Sequence, residues 1–182
     1  MNALDLSRAV GCSPAVAALW ADPILSAMTE YGIMSRLRAA MFLAQIGHET
    51  LGLRHVAEIW GPTLAQVRYE GRADLGNTQP GDGKRYAGHG LIQVTGRANH
   101  AAARDRLRAR LGSRVPDFEA QPLALCSPEW AAYSAGDYWD SRGLNAIADR
   151  GDLELVTRRI NGGLNGIDDR RARYVRALEV LA

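Results

Sequence analysis

The 182-residue sequence has little of what marks a disulfide-stabilised, metal-bound or membrane-spanning protein. Cys12 and Cys126 are its only cysteines. They are too few for the disulfide framework of a small secreted domain, and their spacing does not form a CxxC metal motif. We therefore expect two buried free thiols and folding in a reducing compartment. No run of about eighteen apolar residues occurs, so no helix is expected to span a bilayer.

The charges are nearly balanced, which excludes one class of ligand. The chain has 22 Lys and Arg residues, 20 Asp and Glu residues and a net charge of +2. This balance lacks the concentrated positive charge of a dedicated nucleic-acid binder, but it is compatible with weak attraction to anionic bacterial surfaces. Residues 1–10 show no basic start followed by an apolar run and a small-residue cleavage site. We therefore expect synthesis in the cytoplasm without a signal peptide.

Length and apolar content indicate one domain rather than two. A chain of this size with 47% hydrophobic residues closes one sizeable core, and we assign residues 1–182 to a single catalytic domain. Helical periodicity recurs in several segments. The predicted helices cover residues 15–20, 24–30, 35–49, 98–111, 127–139, 153–160 and 168–181.

Capping residues and glycines define the limits of these helices. Asp22 is expected to cap the second helix with Pro23 at its first position, Ser35 to cap the third, and Asp168 the last. Residues 71–96 are rich in Gly, Asn, Asp and Pro, which favours a loop with a small hairpin in which residues 91–94 are extended. The expected fold class is mainly α with a small Gly-rich loop or β-hairpin region.

Two glutamates in the segment AQIGHETLGLRHVAEIW are the first candidates for chemistry. Glu49 ends an apolar helix, and Glu58 follows nine residues later, beyond Gly52. A carboxylic acid set against apolar packing is biased toward its protonated form, whereas one in an open loop stays ionised. A glycosidase needs one proton donor for the leaving oxygen and one carboxylate to activate water or attack carbon. Taken alone, however, two glutamates at this spacing are typical of surface charges.

Two further polar clusters strengthen the catalytic interpretation. In the segment GDGKRYAGHGLIQVTGRANH, glycines allow close backbone approach to a ligand. Gln93 and Thr95 alternate there with apolar residues, so an extended segment would present both on one face. Their amide and hydroxyl groups suit sugar hydroxyls and a nucleophilic water. In the segment RRINGGLNGIDDRRARY, Asn161 lies in a glycine-rich turn, where it holds a water or a sugar amide, or serves only as a helix C-cap.

Competing motifs fail on their spacing. His48, Glu49 and His55 do not form the zinc motif HExxH, because the second histidine comes three residues too late. Residues 76–84 do not form a phosphate loop, because Asp82 stands where the lysine belongs. No surrounding pattern supports a cysteine hydrolase built on Cys126. We therefore expect neither a metal nor another cofactor.

The motifs AQIGHETLG, YAGHGLIQVTGRANH and INGGLNGIDDRRARY, together with Glu58, resemble those of glycoside hydrolase family 19. This group contains plant-type chitinases and many phage endolysins. The resemblance runs in order through roughly residues 39–174. It implies a lysozyme-like, bilobal helical domain with a cleft between its lobes, and hydrolysis with inversion. In an inverting enzyme the two carboxyl groups lie about 6.5–9.5 Å apart, with room for one water.

The resemblance also implies roles for individual residues. Glu49 matches the general acid, Glu58 the general base of the shorter bacterial branch, and Thr95 a residue that helps to hold the attacking water. Arg170 matches an arginine that pairs with the catalytic carboxylates, and Arg171 is the alternative. The residues implied in substrate binding are Gln93, Asn161, Tyr86, Arg170 and His48.

Two positions depart from the family's pattern. His89 stands where the usual GRG motif has its arginine, so it either lies at the periphery or adjusts the charge of a subsite. Plant-type members place the second glutamate further along the chain, at about the position of Glu70. Glu70 is therefore the rival for the role of base. The disulfides of the plant enzymes are absent as well.

The catalytic pair does not separate peptidoglycan from chitin, because both polymers have a β-1,4-linked amino-sugar backbone. A compact catalytic domain with few cysteines resembles the endolysin branch, which implies a peptidoglycan hydrolase that lyses a host bacterium. A chitinase is the alternative, and an inactive wall-binding module is the alternative of another class. We expect a monomer that binds no nucleic acid and does not insert stably into membranes. It would be made in the host cytoplasm and reach the periplasmic wall after a holin-type partner permeabilises the membrane.

Overall fold

The computed structural model describes residues 1–181 and confirms the mainly helical fold class. Ala182, the last residue of the single domain expected, lies outside the described residues. Two short 3-10 helices cover Ala73–Leu75 and Pro122–Cys126. The ten α-helices of the described residues are α1 (Ala3–Val10), α2 (Pro14–Glu30), α3 (Arg36–Glu49), α4 (Leu64–Val67), α5 (Asp82–Arg85), α6 (Arg97–Leu111), α7 (Pro128–Ser141), α8 (Leu144–Ala148), α9 (Leu153–Asn161) and α10 (Ile167–Val180).

Helix α3 is the centre of the core. Ser35 begins it as predicted, with its side chain accepting a hydrogen bond from the Arg38 amide. Residues 39–47 are all buried, which is the pattern of a helix enclosed on every side rather than of a surface helix with one apolar stripe. Helices α1 and α10 pack against α3, while α2 packs against α1 and α7. The packing of the whole helical body therefore fixes the position of Glu49, at the end of α3.

The two short helices expected on either side of Asp22 are one continuous helix, α2. Pro23 lies inside this helix, so Asp22 does not serve as a cap. A proline at this place removes one backbone hydrogen bond. Trp20, Ile24 and Met28 nevertheless continue one buried face across it. Burial of this face outweighs the lost hydrogen bond. The local sequence signals, a capping residue followed by proline, did not reveal that the helix is continuous.

The glycine-rich middle of the chain is a loop-rich lobe that carries α4 and α5. Within residues 1–181 the β-pairing is limited to two isolated antiparallel bridges, Ala57 with His89 and His89 with Val94. The segment 91–94, predicted to be extended, is a turn instead. The backbone of Val94 folds back to exchange two hydrogen bonds with His89, at 2.8 and 3.1 Å.

The last helix begins one residue earlier than predicted and without the expected cap. Gly166 is the N-cap of α10 and makes no side-chain capping bond. Asp168 lies in the first turn of the helix, where it forms an ion pair with Arg171 at 3.1 Å. Helix α9 ends at Asn161, and Gly162 follows in the left-handed conformation at φ 75°. The short connection between α9 and α10 brings both helix ends beside the end of α3.

Both cysteines are free, as expected, but they are half-buried rather than buried. Burial raises the pKa of both thiols, which makes them poor nucleophiles. No single helix among residues 1–181 is long and apolar enough to cross a membrane. Helices α1 and α2 together meet that criterion by length and composition, but the chain bends by 105° between them.

Candidate active site

A buried arginine holds Glu49 at the end of α3. Arg170 Nη2 donates a hydrogen bond to Glu49 Oε1 at 2.5 Å. The arginine side chain is 2% exposed, whereas that of Glu49 is 25% exposed. No group among residues 1–181 donates to the second oxygen, Oε2. One oxygen is therefore fixed, and the other is free to carry a proton to a leaving group.

A chain of buried polar groups positions Arg170 in turn. Arg170 Nη1 donates to Gln45 Oε1, and Gln45 Nε2 donates to Thr157 Oγ1 at 3.1 Å. Arg170 Nε donates to the Asn165 carbonyl at 3.4 Å. The guanidinium group is thus held on three sides. Arg171, the alternative considered from the sequence, pairs with Glu154 and Asp168 on the exposed surface instead.

Replacing Gln45 with leucine is expected to lower the free energy of unfolding by about 1–3 kcal/mol, because the buried Arg170 Nη1 group loses its acceptor. The turnover rate should fall as well, since the guanidinium is less well fixed against Glu49. Urea unfolding and initial rates measure the two effects. Gln121→Leu, at an exposed position, is the matched control and should change stability by no more than about 0.5 kcal/mol. Equal stability and activity of Gln45→Leu and the native protein would contradict this account.

His48, one residue before Glu49, is fixed by a hydrogen bond to Asp169. Its Nδ1 lies 2.7 Å from Asp169 Oδ2, which also accepts from Arg173 Nε at 2.7 Å. Burial alone would raise the pKa of Asp169, but the hydrogen bonds from Arg173 and His48 lower it overall. A Cβ atom on Gly166 would lie 2.2 Å from the His48 ring, so the glycine at this helix start leaves room for the imidazole. The side chain of His48 remains 24% exposed.

Three hydrogen-bond donors converge on the carboxylate of Glu58. Gln66 Nε2 and Tyr69 Oη donate to Oε1 at 3.0 and 3.4 Å, and the Gly88 amide donates to Oε2 at 2.9 Å. Burial raises the pKa of Tyr69, and the neighbouring Glu58 raises it further, so the phenol keeps its proton and acts as donor. A surrounding made of donors matches an ionised carboxylate, which is the form that a base requires.

Gln66 ties Glu58 to helix α4. It is 3% exposed, and its Nε2 also donates to the Ile59 carbonyl at 2.8 Å. Its Oε1 accepts from the Thr63 amide at 2.7 Å and completes a capping box at the start of α4. Gln66 and Tyr69 were not among the residues predicted from the sequence, although the spacing of Thr63 and Gln66 is a recognisable capping signal.

Glu70, the rival base, serves as an acceptor for backbone amides. Its Oε1 accepts from the Gly81 amide at 2.6 Å and its Oε2 from the Gly83 amide at 2.8 Å. A Cβ atom on Gly83 would lie 2.7 Å from the Glu70 amide nitrogen, so the two segments are in close contact. Both oxygens are thus engaged at the start of α5, in a setting that suits a structural role.

Gln93 and Thr95 lie on the turn that replaces the expected strand. Gln93 adopts a left-handed conformation at φ 54°, and its Nε2 donates to the Gly90 carbonyl at 2.9 Å. Thr95 Oγ1 donates to the Gln93 carbonyl at 3.0 Å. Both side chains line a pocket of about 310 Å³ whose other wall includes Tyr138 and Arg142. A turn rather than a strand therefore brings the amide and the hydroxyl to one place.

Tyr138 links this pocket to Glu49. Burial raises the pKa of Tyr138, the guanidinium of Arg142 opposes that rise, and the carboxylate of Glu49 adds to it. The phenol therefore lies within electrostatic reach of Glu49. Its hydroxyl donates to the Ile160 carbonyl at 3.2 Å, one residue before Asn161. The pocket, Glu49 and the end of α9 are consequently neighbours.

Asn161 is the last residue of α9 and half-buried. Its Nδ2 donates to the Asn165 carbonyl at 3.4 Å, and the same carbonyl accepts from Arg170 Nε. Asn161 therefore belongs to the wall that contains Arg170 and Glu49. Its amide oxygen has no protein donor among residues 1–181 and is free for a ligand or a water.

Tyr86 does not lie in the cleft, which corrects the expectation of a substrate contact. It is fully buried, and its hydroxyl donates to the Glu119 carbonyl at 2.9 Å. Its ring packs edge-on against His100, and the Arg97 guanidinium lies 4.6 Å from the ring centroid. Tyr86 therefore packs in the interior next to the turn at residues 90–95 and is not exposed to contact a sugar.

The arrangement offers two carboxylates in unlike settings, an arginine on one of them, and a pocket with amide and hydroxyl groups beside them. Residues 1–181 contain no group of three or more His, Cys, Asp and Glu side chains that could hold a metal ion. The groups present supply a proton donor, a proton acceptor and hydrogen bonds to a polar ligand. These are the elements of acid–base hydrolysis.

No model of a known protein family matches the chain. The chain is 36% identical over 177 residues to a glycosyl hydrolase family 19 domain-containing protein of Haemophilus influenzae, and the match covers 82% of each protein.

Two solved structures are similar in fold. Chitinase C from Streptomyces griseus matches with a TM-score of 0.73 at 22% identity, over 99% of this chain and 76% of the chitinase chain. A bacterial family 19 chitinase matches with a TM-score of 0.68 at 23% identity, over 88% of this chain and 85% of that chain. At this level of identity the likeness concerns the fold alone.

Proposed function

The chain belongs to glycoside hydrolase family 19 and is a glycoside hydrolase, and from this premise we propose that it cleaves the β-1,4 linkages of bacterial peptidoglycan with inversion. The observation that carries the proposal is the difference between its two carboxylates. Glu49 has one oxygen on Arg170 and one oxygen free, whereas Glu58 accepts three hydrogen bonds. The first suits a general acid and the second a general base.

In the proposed mechanism Glu49 Oε2 gives its proton to the oxygen of the leaving sugar as the glycosidic bond breaks. The carboxylate that results is stabilised by the Arg170 guanidinium, which already contacts Oε1. Glu58 takes a proton from a water that attacks the anomeric carbon from the opposite face, with Thr95 Oγ1 helping to hold that water. One water is consumed, and the proton passes from Glu58 back to Glu49 through solvent after product release.

The charge of the pocket beside Gln93 supports peptidoglycan over chitin. Arg106 and Arg142 both line this pocket. Asp137 neutralises Arg106 at 2.7 Å. Arg142 instead lies over the Tyr138 ring, 3.4 Å from its centroid, and forms no ion pair within the described part of the chain. Peptidoglycan carries carboxylates on its peptide stems, whereas chitin is uncharged, so a guanidinium without a carboxylate partner among residues 1–181 favours the anionic polymer.

The proposal is tested with purified peptidoglycan and with a chitin oligomer, side by side. We expect loss of turbidity and release of reducing ends from peptidoglycan, with the α-anomer as the first product in NMR spectra. Cleavage of the chitin oligomer without clearing of peptidoglycan would favour a chitinase. The absence of both reactions would contradict the assignment and favour a wall-binding module without activity.

Replacing Arg142 with glutamine tests the choice of polymer. Peptidoglycan cleavage should fall about three- to tenfold in kcat/KM, as expected when an exposed charged contact worth about 1 kcal/mol is lost. Hydrolysis of an uncharged chitin oligomer, where it occurs, should not change. Arg8→Gln on α1, at an exposed position outside the pocket, is the matched control. An equal loss of kcat/KM on both polymers would show that Arg142 does not bind the anionic peptide stems.

We extend the proposal to the biological role. The enzyme would act as a monomer, be made in the cytoplasm of a host bacterium, and reach the periplasmic wall once a holin-type partner permeabilises the membrane. Its net charge of +2 supports attraction to an anionic envelope. Expression in Gram-negative cells should cause lysis only together with a membrane-permeabilising protein, and Glu49→Gln should not cause lysis. Equally fast lysis without that protein would argue against a dependence on such a partner.

A further inference from the structure

Two histidines that the proposed mechanism does not use form a buried pair beside Glu58. His89 is 5% exposed and His100 is fully buried. His89 Nδ1 lies 2.9 Å from His100 Nε2, and His100 Nδ1 lies 2.8 Å from the Gly96 carbonyl oxygen. The two imidazole rings meet edge to face, with centroids 5.2 Å apart. The pair therefore forms a hydrogen-bonded chain that ends on a backbone carbonyl.

The Gly96 carbonyl at the inner end of this chain determines which ring nitrogens of the two histidines carry a proton. Because the Gly96 oxygen can only accept, neutral His100 carries its proton on Nδ1 and presents Nε2 as an acceptor. His89 must then donate from Nδ1, which leaves its Nε2 without a proton. Tyr31 Oη is the only buried side-chain nitrogen or oxygen without a partner in residues 1–181. The unpartnered Nε2 of His89 is therefore open to solvent.

The backbone of His89 joins the two halves of the base site. Its two bridge partners are the residues directly before Glu58 and directly before Thr95. The preceding residue, Gly88, donates from its amide to Glu58 Oε2 at 2.9 Å and accepts from the Glu58 amide at 2.7 Å. The spacing between the carboxylate and the Thr95 hydroxyl thus depends on where His89 sits.

The pair is uncharged near neutral pH. Burial lowers the pKa of His89, although the nearby Glu58 carboxylate raises it. Burial also lowers the pKa of His100 to about 4, with the Gly96 carbonyl opposing that change. Among the titratable groups around the pair, Glu58 is the one that acts on His89. On the inner side the Tyr86 ring faces His100.

We propose that His89 is a positioning residue for Glu58, held by His100 so that its imidazole stays uncharged and its backbone keeps the Gly88 amide on the Glu58 carboxylate. The proposal rests on the role of Glu58 as base. A cation at this place would attract the nearby Glu58 carboxylate, lower its proton affinity and weaken it as a base. A neutral imidazole leaves the carboxylate free to accept a proton from water. Protonation of His89 on Nε2 at acid pH creates such a cation, so acid inactivates the site twice, once at Glu58 and once at His89.

Three variants and the pH dependence of kcat/KM on peptidoglycan test this role. In the native enzyme the acid limb should approach a slope of two on logarithmic axes, because two protonations each stop the reaction. His89→Asn keeps a donor in the place of Nδ1 but cannot be protonated, so its slope should fall to one. His89→Arg places a permanent cation there, which should move the acid limb down by about one pH unit or more and lower kcat by about 10²-fold or more. His55→Asn, at a half-buried position whose side chain makes no hydrogen bond to residues 1–181, is the control and should keep the native profile.

The outcomes separate this inference from the proposed function. If the native enzyme cleaves peptidoglycan and His89→Asn retains a slope of two, the role of His89 is overturned while the proposed function stands. If the native enzyme shows no cleavage, the proposed function fails first. Circular dichroism and thermal melting establish that each variant folds. If His89→Arg does not fold, the slope of the acid limb of kcat/KM measured for His89→Asn still tests the role of His89.

Discussion

Glu49→Gln is expected to lower kcat on peptidoglycan by about 10²- to 10⁴-fold, the range for loss of a general acid. The change is nearly isosteric, and the amide oxygen can still accept the hydrogen bond from Arg170 Nη2. The fold should therefore be intact, while the group that faces the leaving oxygen has no proton to transfer. Initial rates of reducing-end release, set beside a thermal melt, measure both properties.

The dependence on the leaving group distinguishes a lost acid from a displaced substrate. An aryl glycoside with a strongly acidic phenol needs little protonation as it leaves, so Glu49→Gln should retain much of the native rate on such a substrate. Glu179→Gln, on the exposed side of α10, is the matched control and should keep full activity on both substrates. Full activity of folded Glu49→Gln would refute the assignment. An equal loss on both substrates would make Glu49 a positioning residue.

The position of Glu49 could be predicted because its signals are local. Ser35 provides a recognised cap at the start of α3, and an apolar run continues to the glutamate at its end. The contact that holds Glu49 in place could not be predicted from local sequence, because its partner Arg170 lies 121 residues further along the chain. The family resemblance pointed to that arginine, whereas composition and periodicity did not. Gln45, a polar residue inside an otherwise apolar helix, was the remaining local signal.

The turn at residues 90–95 shows why the strand prediction was wrong. Ile92 and Val94 alternate with the polar residues Gln93 and Thr95 in a way that is typical of an extended strand. Gly90 adopts φ 85° and Gln93 adopts φ 54°, so the chain reverses within the segment. Leu91 is fully buried by this reversal. Packing of one apolar side chain beneath the turn overrode the local preference, and a glutamine in the left-handed region has no sequence signal of its own.

The buried pair of histidines was also beyond local prediction. His89 attracted notice only as a departure from the family's arginine, and His100 had no assigned role. The hydrogen bond between His89 and His100 requires the backbone to reverse direction between them. The turn at residues 90–95, which replaces the predicted strand, provides this reversal. Buried side chains that hold the residues of a site in place are therefore its least predictable part, because each of their contacts depends on the tertiary structure.

Glu58→Gln is expected to reduce kcat by about 10²- to 10⁴-fold, and Glu70→Gln to reduce it only slightly. A glutamine at position 58 cannot accept a proton from the attacking water. A glutamine at position 70 loses one of the two acceptors for the Gly81 and Gly83 amides. It should therefore cost about 1–3 kcal/mol of stability without removing a reacting group. Rates on peptidoglycan and urea unfolding of both variants give the comparison, each variant serving as the control for the other.

Added azide tests whether Glu58 acts on the water itself. Azide is a nucleophile that needs no base, so it should restore sugar release in Glu58→Gln and give an α-glycosyl azide, the product of a single inverting displacement. It should not accelerate Glu70→Gln, in which the native base is still present. A severe loss of activity in Glu70→Gln alone, rescued by azide, would transfer the base role to Glu70. The three donors on Glu58 would then hold a structural carboxylate, and the role of His89 would have to be sought elsewhere. An azide product from Glu58→Gln would instead show that Glu58 activates the attacking water, on the side of the sugar opposite to the proton of Glu49.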